Sequence, residues 1–281
     1  MTAPIPPEPA VLAAFGLTDA PRHLTGGLSQ SAWRVGDVVL KPVQEANPGE
    51  AEWIATALDA IDEDGFRVAK PVPATNGRWL FNGWTAWRWI DGEHCVGRWG
   101  DVTEAARAFH LALPAAAARA GLGTEPAWLH RRDHRWARAE RTVWHGAAMP
   151  AQAVYDVPEW AHWERARAAG PPLAEAELAQ CQVVHGDVAG NVLAEAASGA
   201  VTFIDVSPGW RTPESVEAQI VVEGVAWFGG DEALLDEVAP ADIARACAFR
   251  LLCGFQALTV GMKFNPAEVA RFVRILDAIG A

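Results

Sequence analysis

Cysteine is scarce in this chain, and the four present, Cys95, Cys181, Cys247 and Cys253, form no C-x-x-C pair. A disulfide framework and a zinc site are therefore not suggested, and reduced, mostly buried thiols are the expectation. Long apolar runs are missing too, none approaching the roughly 20 residues of a membrane span. The amino terminus lacks the basic and apolar regions of a secretory signal, so a cytoplasmic protein with no membrane partner is expected. Positive charge is also short: 23 Lys and Arg stand against 35 Asp and Glu, a net charge of −12. That balance argues against broad nucleic-acid binding, which needs a positive surface to displace phosphate counterions. It tolerates a cationic small-molecule partner.

What is there suits a two-part globular chain. The 281 residues are half hydrophobic and a fifth charged, and such a length accommodates two packed units. A short helix fits residues 10–15. Strand-like segments at 32–35 and 38–43 flank Gly36-Asp37, a turn pair, and segments at 79–82 and 84–90 flank Asn82-Gly83, a strong hairpin signal. Between them, Trp53, Ile54, Ala57, Leu58 and Ile61 recur at helical spacing, predicting a helix over 49–61. Beyond Asp101 the pattern turns helical, with helices expected at 102–120, 128–146, 159–169 and 173–181, a β-rich interval at 183–204, and helix again from about 214. A strand-rich first unit, residues 1–92, thus precedes a larger, mainly helical one, residues 93–281.

The β-rich interval carries the chemistry. An apolar pair, Val183-Val184, leads into His185-Gly186-Asp187-Val188-Ala189-Gly190-Asn191, then a hairpin, then Ile204-Asp205. Polar groups at strand ends can be aimed at a ligand by a rigid scaffold. Transfer of a γ-phosphoryl group asks a protein for a carboxylate that orients the attacking hydroxyl and takes its proton, and for oxygen ligands to magnesium. Asp187 can be the first, and Asn191 with Asp205 can be the second.

The ordered H-G-D, Asn and I-D elements resemble those of aminoglycoside phosphotransferases and related choline and sugar kinases. That resemblance implies an α+β, bilobal, protein-kinase-like fold and an ATP- and Mg2+-dependent kinase acting on a hydroxylated small molecule, with Asp187 as base, Asn191 and Asp205 as metal ligands, and His185 as a structural residue. Asn191 follows Asp187 by four residues, one fewer than in the family's loop. Gly190 permits a tighter turn there. The competing reading of that shortening is a nucleotide-binding pseudokinase with a scaffold role.

A kinase-like first unit must also supply a Gly-rich loop, a strand lysine, a helix acid and a hinge, in that order. Gly26, Gly27 and Ser29 fit the loop, where backbone N–H groups approach phosphates. Lys41, the only lysine in the first 69 residues, fits the strand. Glu52 is the expected helix partner of Lys41, with Glu50 left to complement the helix dipole. Trp87 to Glu93 resembles the hinge, with adenine against Trp87 and Leu40 and bonded to the backbone around Arg88, Trp89 and Ile90. Phe109-His110-Leu111 resembles a structural Leu-His pair of the family.

Other features have plain readings. Arg131, Arg132, Arg135, Arg138 and Arg141, interleaved with Trp128, Trp136 and Trp144, predict an amphipathic helix with a solvated basic face. His130 and His134 would then share one face. Arg211 could pair with a carboxylate or phosphate, and Glu214, Glu217 and Glu223 could recognise an amine or form a solvated face.

Overall fold

The computed structural model describes residues 5–25, 31–43, 48–149, 157–258 and 265–281. Its first part runs α1 (Pro9–Ala14), β1 (Arg22–His23), β2 (Trp33–Val35), β3 (Val38–Pro42), α2 (Pro48–Asp59), β4 (Arg67–Val68), β5 (Pro71–Val72), β6 (Leu80–Phe81), β7 (Trp84–Arg88) and β8 (Gly92–His94). The rest comprises α3 (Trp99–Arg119), α4 (Ala127–Arg131), α5 (Arg135–Val143), α6 (Trp160–Ala169), α7 (Glu175–Leu178), β9 (Gln182–His185), β10 (Val192–Glu195), β11 (Val201–Phe203), β12 (Pro208–Arg211), α8 (Pro213–Trp227), a 3₁₀ segment (Glu232–Glu237), α9 (Pro240–Leu258) and α10 (Pro266–Ala278). The architecture is α+β as expected, with an antiparallel sheet in the first part and four further strands, β9 to β12, among the helices of the second.

In the first sheet the strands lie in the order β1-β2-β3-β7-β5, with β6 added on β7. The turn between β6 and β7 takes left-handed backbone at both Asn82 (φ 45) and Gly83 (φ 76), as a two-residue hairpin loop demands. Alternation along β3 sends Val38 and Leu40 into a core with Val11 and Phe15 of α1. Val39 and Lys41 therefore face the other way, where Val39 sits opposite Trp87 of β7.

A second sheet, β4-β11-β10-β8, joins the two parts: β4 pairs in parallel with β11, and β8 pairs with β10. The core beneath it, built from α2, α3 and the strands on either side of the H-G-D loop, includes Trp53, Phe66, Phe109, Val184, Val192 and Phe203. A separate core unites α5, α6, α8, α9 and α10. Helix α9 is at its centre and is buried almost all round, from Ile243 to Ala257, the pattern of a helix with no solvent face. Among the described residues no helix is long and apolar enough to cross a membrane.

The single helix expected over 128–146 is two. His134 caps α5, its Nδ1 accepting from Ala137 N–H at 3.2 Å, and the chain breaks at residues 132–134. His130 and His134 consequently do not share a helix face. Nor is the basic face wholly solvated: Arg132 keeps only 9% of its side chain exposed, donating to the Pro208 carbonyl and paired with Glu50 at 3.7 Å.

Candidate active site

Strand β9, whose Val183-Val184 pair is buried, delivers the H-G-D loop to the junction of the two parts. The short loop closes on itself. Asn191 N–H donates to the Val188 carbonyl at 2.8 Å, and the Asn191 amide donates to the Asp187 carbonyl at 2.7 Å and to Asp187 Oδ2 at 3.2 Å. From outside the loop, His94 Nε2 meets the Ala189 carbonyl at 2.6 Å. Four residues therefore suffice to bring Asn191 beside Asp187.

Asp205 follows at the end of β11. Ile204 N–H donates to the Asn191 carbonyl at 2.9 Å, tying the two acidic positions together through one amide. Asp205 itself adopts φ 49, a left-handed conformation that non-glycine residues rarely take and that turns its carboxylate out of the strand. There it meets Lys41 Nζ at 2.8 Å. The side chains of Asp187, Asp205 and Lys41 keep 44%, 58% and 27% of their surface exposed, so the group is open to a ligand.

Beneath this open layer lies a buried one. Two neutral histidines fix the loop. His185 Nδ1 accepts from the N–H groups of Asp187 (3.3 Å) and Ser207 (3.4 Å), and His110 Nε2 accepts from the His185 N–H at 3.1 Å. Burial pulls the His185 ring down to about 4, against the opposing pull of Asp187 and Asp205, and the His110 ring down to about 3. Both acceptor roles require the unprotonated nitrogen that this depression supplies. His110 is thus structural, as its sequence context suggests.

Two arginines complete the support. Arg211, fully buried, bonds Gln219 Oε1 at 2.6 Å and the Gly186 carbonyl at 3.3 Å, pairs with Glu140 at 3.3 Å, and stacks over Trp144 at 4.2 Å. A Cβ on Gly186 would meet the Arg211 guanidinium at 2.8 Å, so the loop needs glycine there. Arg250 of α9 bonds Asp187 Oδ1 at 2.6 Å and Glu223 Oε1 at 2.5 Å. Burial raises the Glu223 carboxyl to about 7 even with Arg250 beside it. The same burial opposes charge on Arg250, but the Glu223 and Asp187 carboxylates hold its guanidinium above the ordinary arginine range.

Several sequence expectations need correction. Lys41 does not pair with Glu52: Glu52 reaches Arg78 at 3.3 Å on the surface, while the ion pair of Lys41 is with Asp205. Helical periodicity explains this. Trp53, Ile54, Ala57 and Leu58 define the buried face of α2, and Glu50, three and four residues before the first two, lies on it, whereas Glu52 is rotated to the rim. The buried Glu50 carboxyl, raised by desolvation, pairs with Arg132. Leu40 is wholly buried against α1, so it is Val39, not Leu40, that shares the Lys41 face with Trp87. Glu217 is held by a two-point contact to Arg107, at 2.8 and 2.6 Å, and Glu223 by Arg250, so neither is free to receive an amine.

In the hinge segment, Arg88 N–H donates to the Lys70 carbonyl at 2.8 Å and Trp89 N–H to the Asp37 carbonyl at 2.9 Å. Both donors are committed within the first part. Trp89 also stacks with Arg34 at 4.1 Å, and Ile90 is half-buried. Gly26, Gly27 and Ser29 lie outside the described residues.

The sequence reading did not find Arg250. Its only local signal is a charge within an apolar stretch, Phe249-Arg250-Leu251-Leu252, and its partners lie 27 and 63 residues earlier.

No family model matches the chain, and no curated protein matches it by sequence. Solved structures do. A spectinomycin phosphotransferase in complex with ADP and spectinomycin aligns with a TM-score of 0.58 at 12% identity, over 97% of this chain and 96% of that one. An aminoglycoside phosphotransferase from Alicyclobacillus acidocaldarius aligns with a TM-score of 0.56 at 16% identity, over 100% and 95%. A choline kinase from Streptococcus pneumoniae gives 0.52 at 12%, over 96% of each chain. The chain accordingly has the protein-kinase-like fold. Within that fold, these neighbours are small-molecule phosphotransferases and kinases.

Proposed function

We propose that the chain is an ATP-dependent phosphotransferase that moves the γ-phosphoryl group to a hydroxyl of a small molecule. The observation that carries this reading is the meeting of Asp187, Asn191, Asp205 and Lys41 in one open cluster over a buried support of His110, His185, Arg211 and Arg250. The acceptor hydroxyl hydrogen-bonds to the Asp187 carboxylate, which takes its proton as the oxygen bonds to the γ-phosphorus and the bond to the departing ADP breaks. Lys41 exchanges Asp205 for the α and β phosphates, acting as a compact point charge. The Asp205 carboxylate and the Asn191 side-chain oxygen fit a hard cation that takes its remaining ligands from phosphate and water. No cluster of three or more acidic, His or Cys side chains able to hold a metal by itself is found among the described residues. Magnesium bound there with the nucleotide would offset charge on the phosphates. Adenine is assigned to the Val39 and Trp87 face, reading the Arg88 carbonyl and the backbone of Ile90.

Against a non-catalytic nucleotide-binding scaffold, the contact of Asn191 with Asp187 supports activity, because the shortened loop still keeps both groups together. Cytoplasmic location and a hydroxylated, cationic or neutral acceptor belong to this proposal. It is tested by ADP release from MgATP against a panel of amino sugars, macrolides, choline-like alcohols and simple sugars. Acceptor-dependent release is expected; nucleotide binding without release for any acceptor would replace this reading by the scaffold.

Lys41→Met supplies a separate check. Loss of the cation paired with Asp205 is expected to weaken MgATP binding about tenfold, read as a smaller nucleotide-induced rise in melting temperature. An unchanged titration would remove Lys41 from the phosphate site.

A further inference from the structure

Asp187 Oδ2 is touched by Asn191, a contact within its own loop, but Oδ1 is held from elsewhere in the fold. Arg250 projects from the buried helix α9, with 9% of its side chain exposed, and binds Asp187 Oδ1 with one terminal nitrogen. Its Nε is anchored at 2.5 Å by Glu223, a carboxylate only 1% exposed. The rings of Trp227 and Phe249 flank the guanidinium at 5.1 and 5.2 Å. Planar, flanked by rings and bonded to two carboxylates, the guanidinium has little freedom to turn. A buried ion pair of this kind is weak as a source of stability, since well-packed apolar side chains often serve as well. Its geometry, by contrast, is aimed at a single atom of the candidate base.

We propose that Arg250, locked by Glu223, is a positioning residue for phosphoryl transfer: it fixes the rotation of the Asp187 carboxylate so that its free lone pairs meet the acceptor hydroxyl. This rests on the function proposed above. Misplacing a reacting group by about 1 Å costs on the order of 100-fold in rate, and among the described residues no other side chain outside its own loop bonds the nearly half-exposed Asp187 carboxylate.

The test separates positioning from packing with the double substitution Arg250→Met/Glu223→Leu in the full chain. It removes both buried charges together and leaves neither unpaired, so a purely structural pair predicts wild-type turnover. Positioning instead predicts a melting temperature near that of the wild type, an unchanged KM for MgATP, and a kcat lower by about 100-fold. Arg250→Lys is the second variant, keeping the charge but lacking the planar fork that spans both carboxylates; a kcat about tenfold lower at constant KM is expected. Wild-type kcat in either folded variant overturns the inference, as does a loss that resides in KM. A wild-type chain that releases no ADP with any acceptor overturns the proposed function and this inference with it, whereas an active wild type with indifferent variants overturns the inference alone.

Discussion

Asp187→Asn is expected to lower phosphoryl transfer by about 1,000-fold or more while changing MgATP affinity no more than about twofold. The substitution is nearly isosteric, and the main-chain bonds that shape the loop do not depend on the carboxylate. The Asp187 carbonyl still accepts from Asn191, and its N–H still donates to His185. The new amide oxygen can still accept from Arg250, and Arg250 keeps the Glu223 carboxylate. Lys41 and Asp205 form their own pair across the cleft. What disappears is the group able to accept a proton from the acceptor hydroxyl. Single-turnover ADP formation measures the loss, and a thermal-shift titration with MgATP measures what survives. Turnover within about tenfold of the wild type would mean that another group takes the proton, and the role given to Asp187 would fall.

The grouping of these side chains was legible in the sequence because its parts are local. His185, Asp187 and Asn191 fall within seven residues and Asp205 follows one hairpin later, so a short reading frame contains them all. The Asn82-Gly83 turn was legible for the same reason, its left-handed backbone being required by two adjacent residues. Features that depend on rotation or distance were not. The choice between Glu50 and Glu52 turned on which way α2 faces, and the spacing from Trp53 and Ile54 held the answer. The break between α4 and α5 has no glycine or proline to announce it. It comes from the capping ring of His134 and from the tether between Arg132 and Pro208, the latter a contact between segments far apart in the chain. Arg250 is the extreme case. An arginine in a helix ordinarily marks the solvent side, and only the all-round burial of α9 turns Arg250 toward Asp187.

The buried layer also sets how the fold responds to acid. His110 and His185 titrate near 3 and 4 in the folded chain, below the usual value of about 6.5 for an unfolded one. The unfolded chain therefore binds more protons, and the stability these rings contribute is complete above about pH 6.5 and drains away as pH falls toward 4 and 3. Between pH 7.5 and 5 the pair is expected to cost about 4 kcal/mol. Glu223 runs the other way. Its carboxyl, raised to about 7, binds a proton in the folded state first, so its contribution is full below its ordinary value and is lost as pH rises through 7. Over the same interval it offsets roughly half of the histidine loss. His134, drawn down to about 4 by burial and its arginine neighbours, adds a smaller loss of the histidine sign. Urea denaturation at pH 5 and 7.5 resolves these opposing slopes through two variants. Glu223→Gln is expected to steepen the acid loss to the full histidine value. His110→Gln, whose side-chain oxygen can still accept from the His185 N–H, is expected to flatten or reverse it by removing one of the two protons. Identical slopes in all three proteins would mean that the imidazoles titrate alike in the folded and unfolded chains, and that His110 and His185 do not hold the H-G-D loop as neutral acceptors.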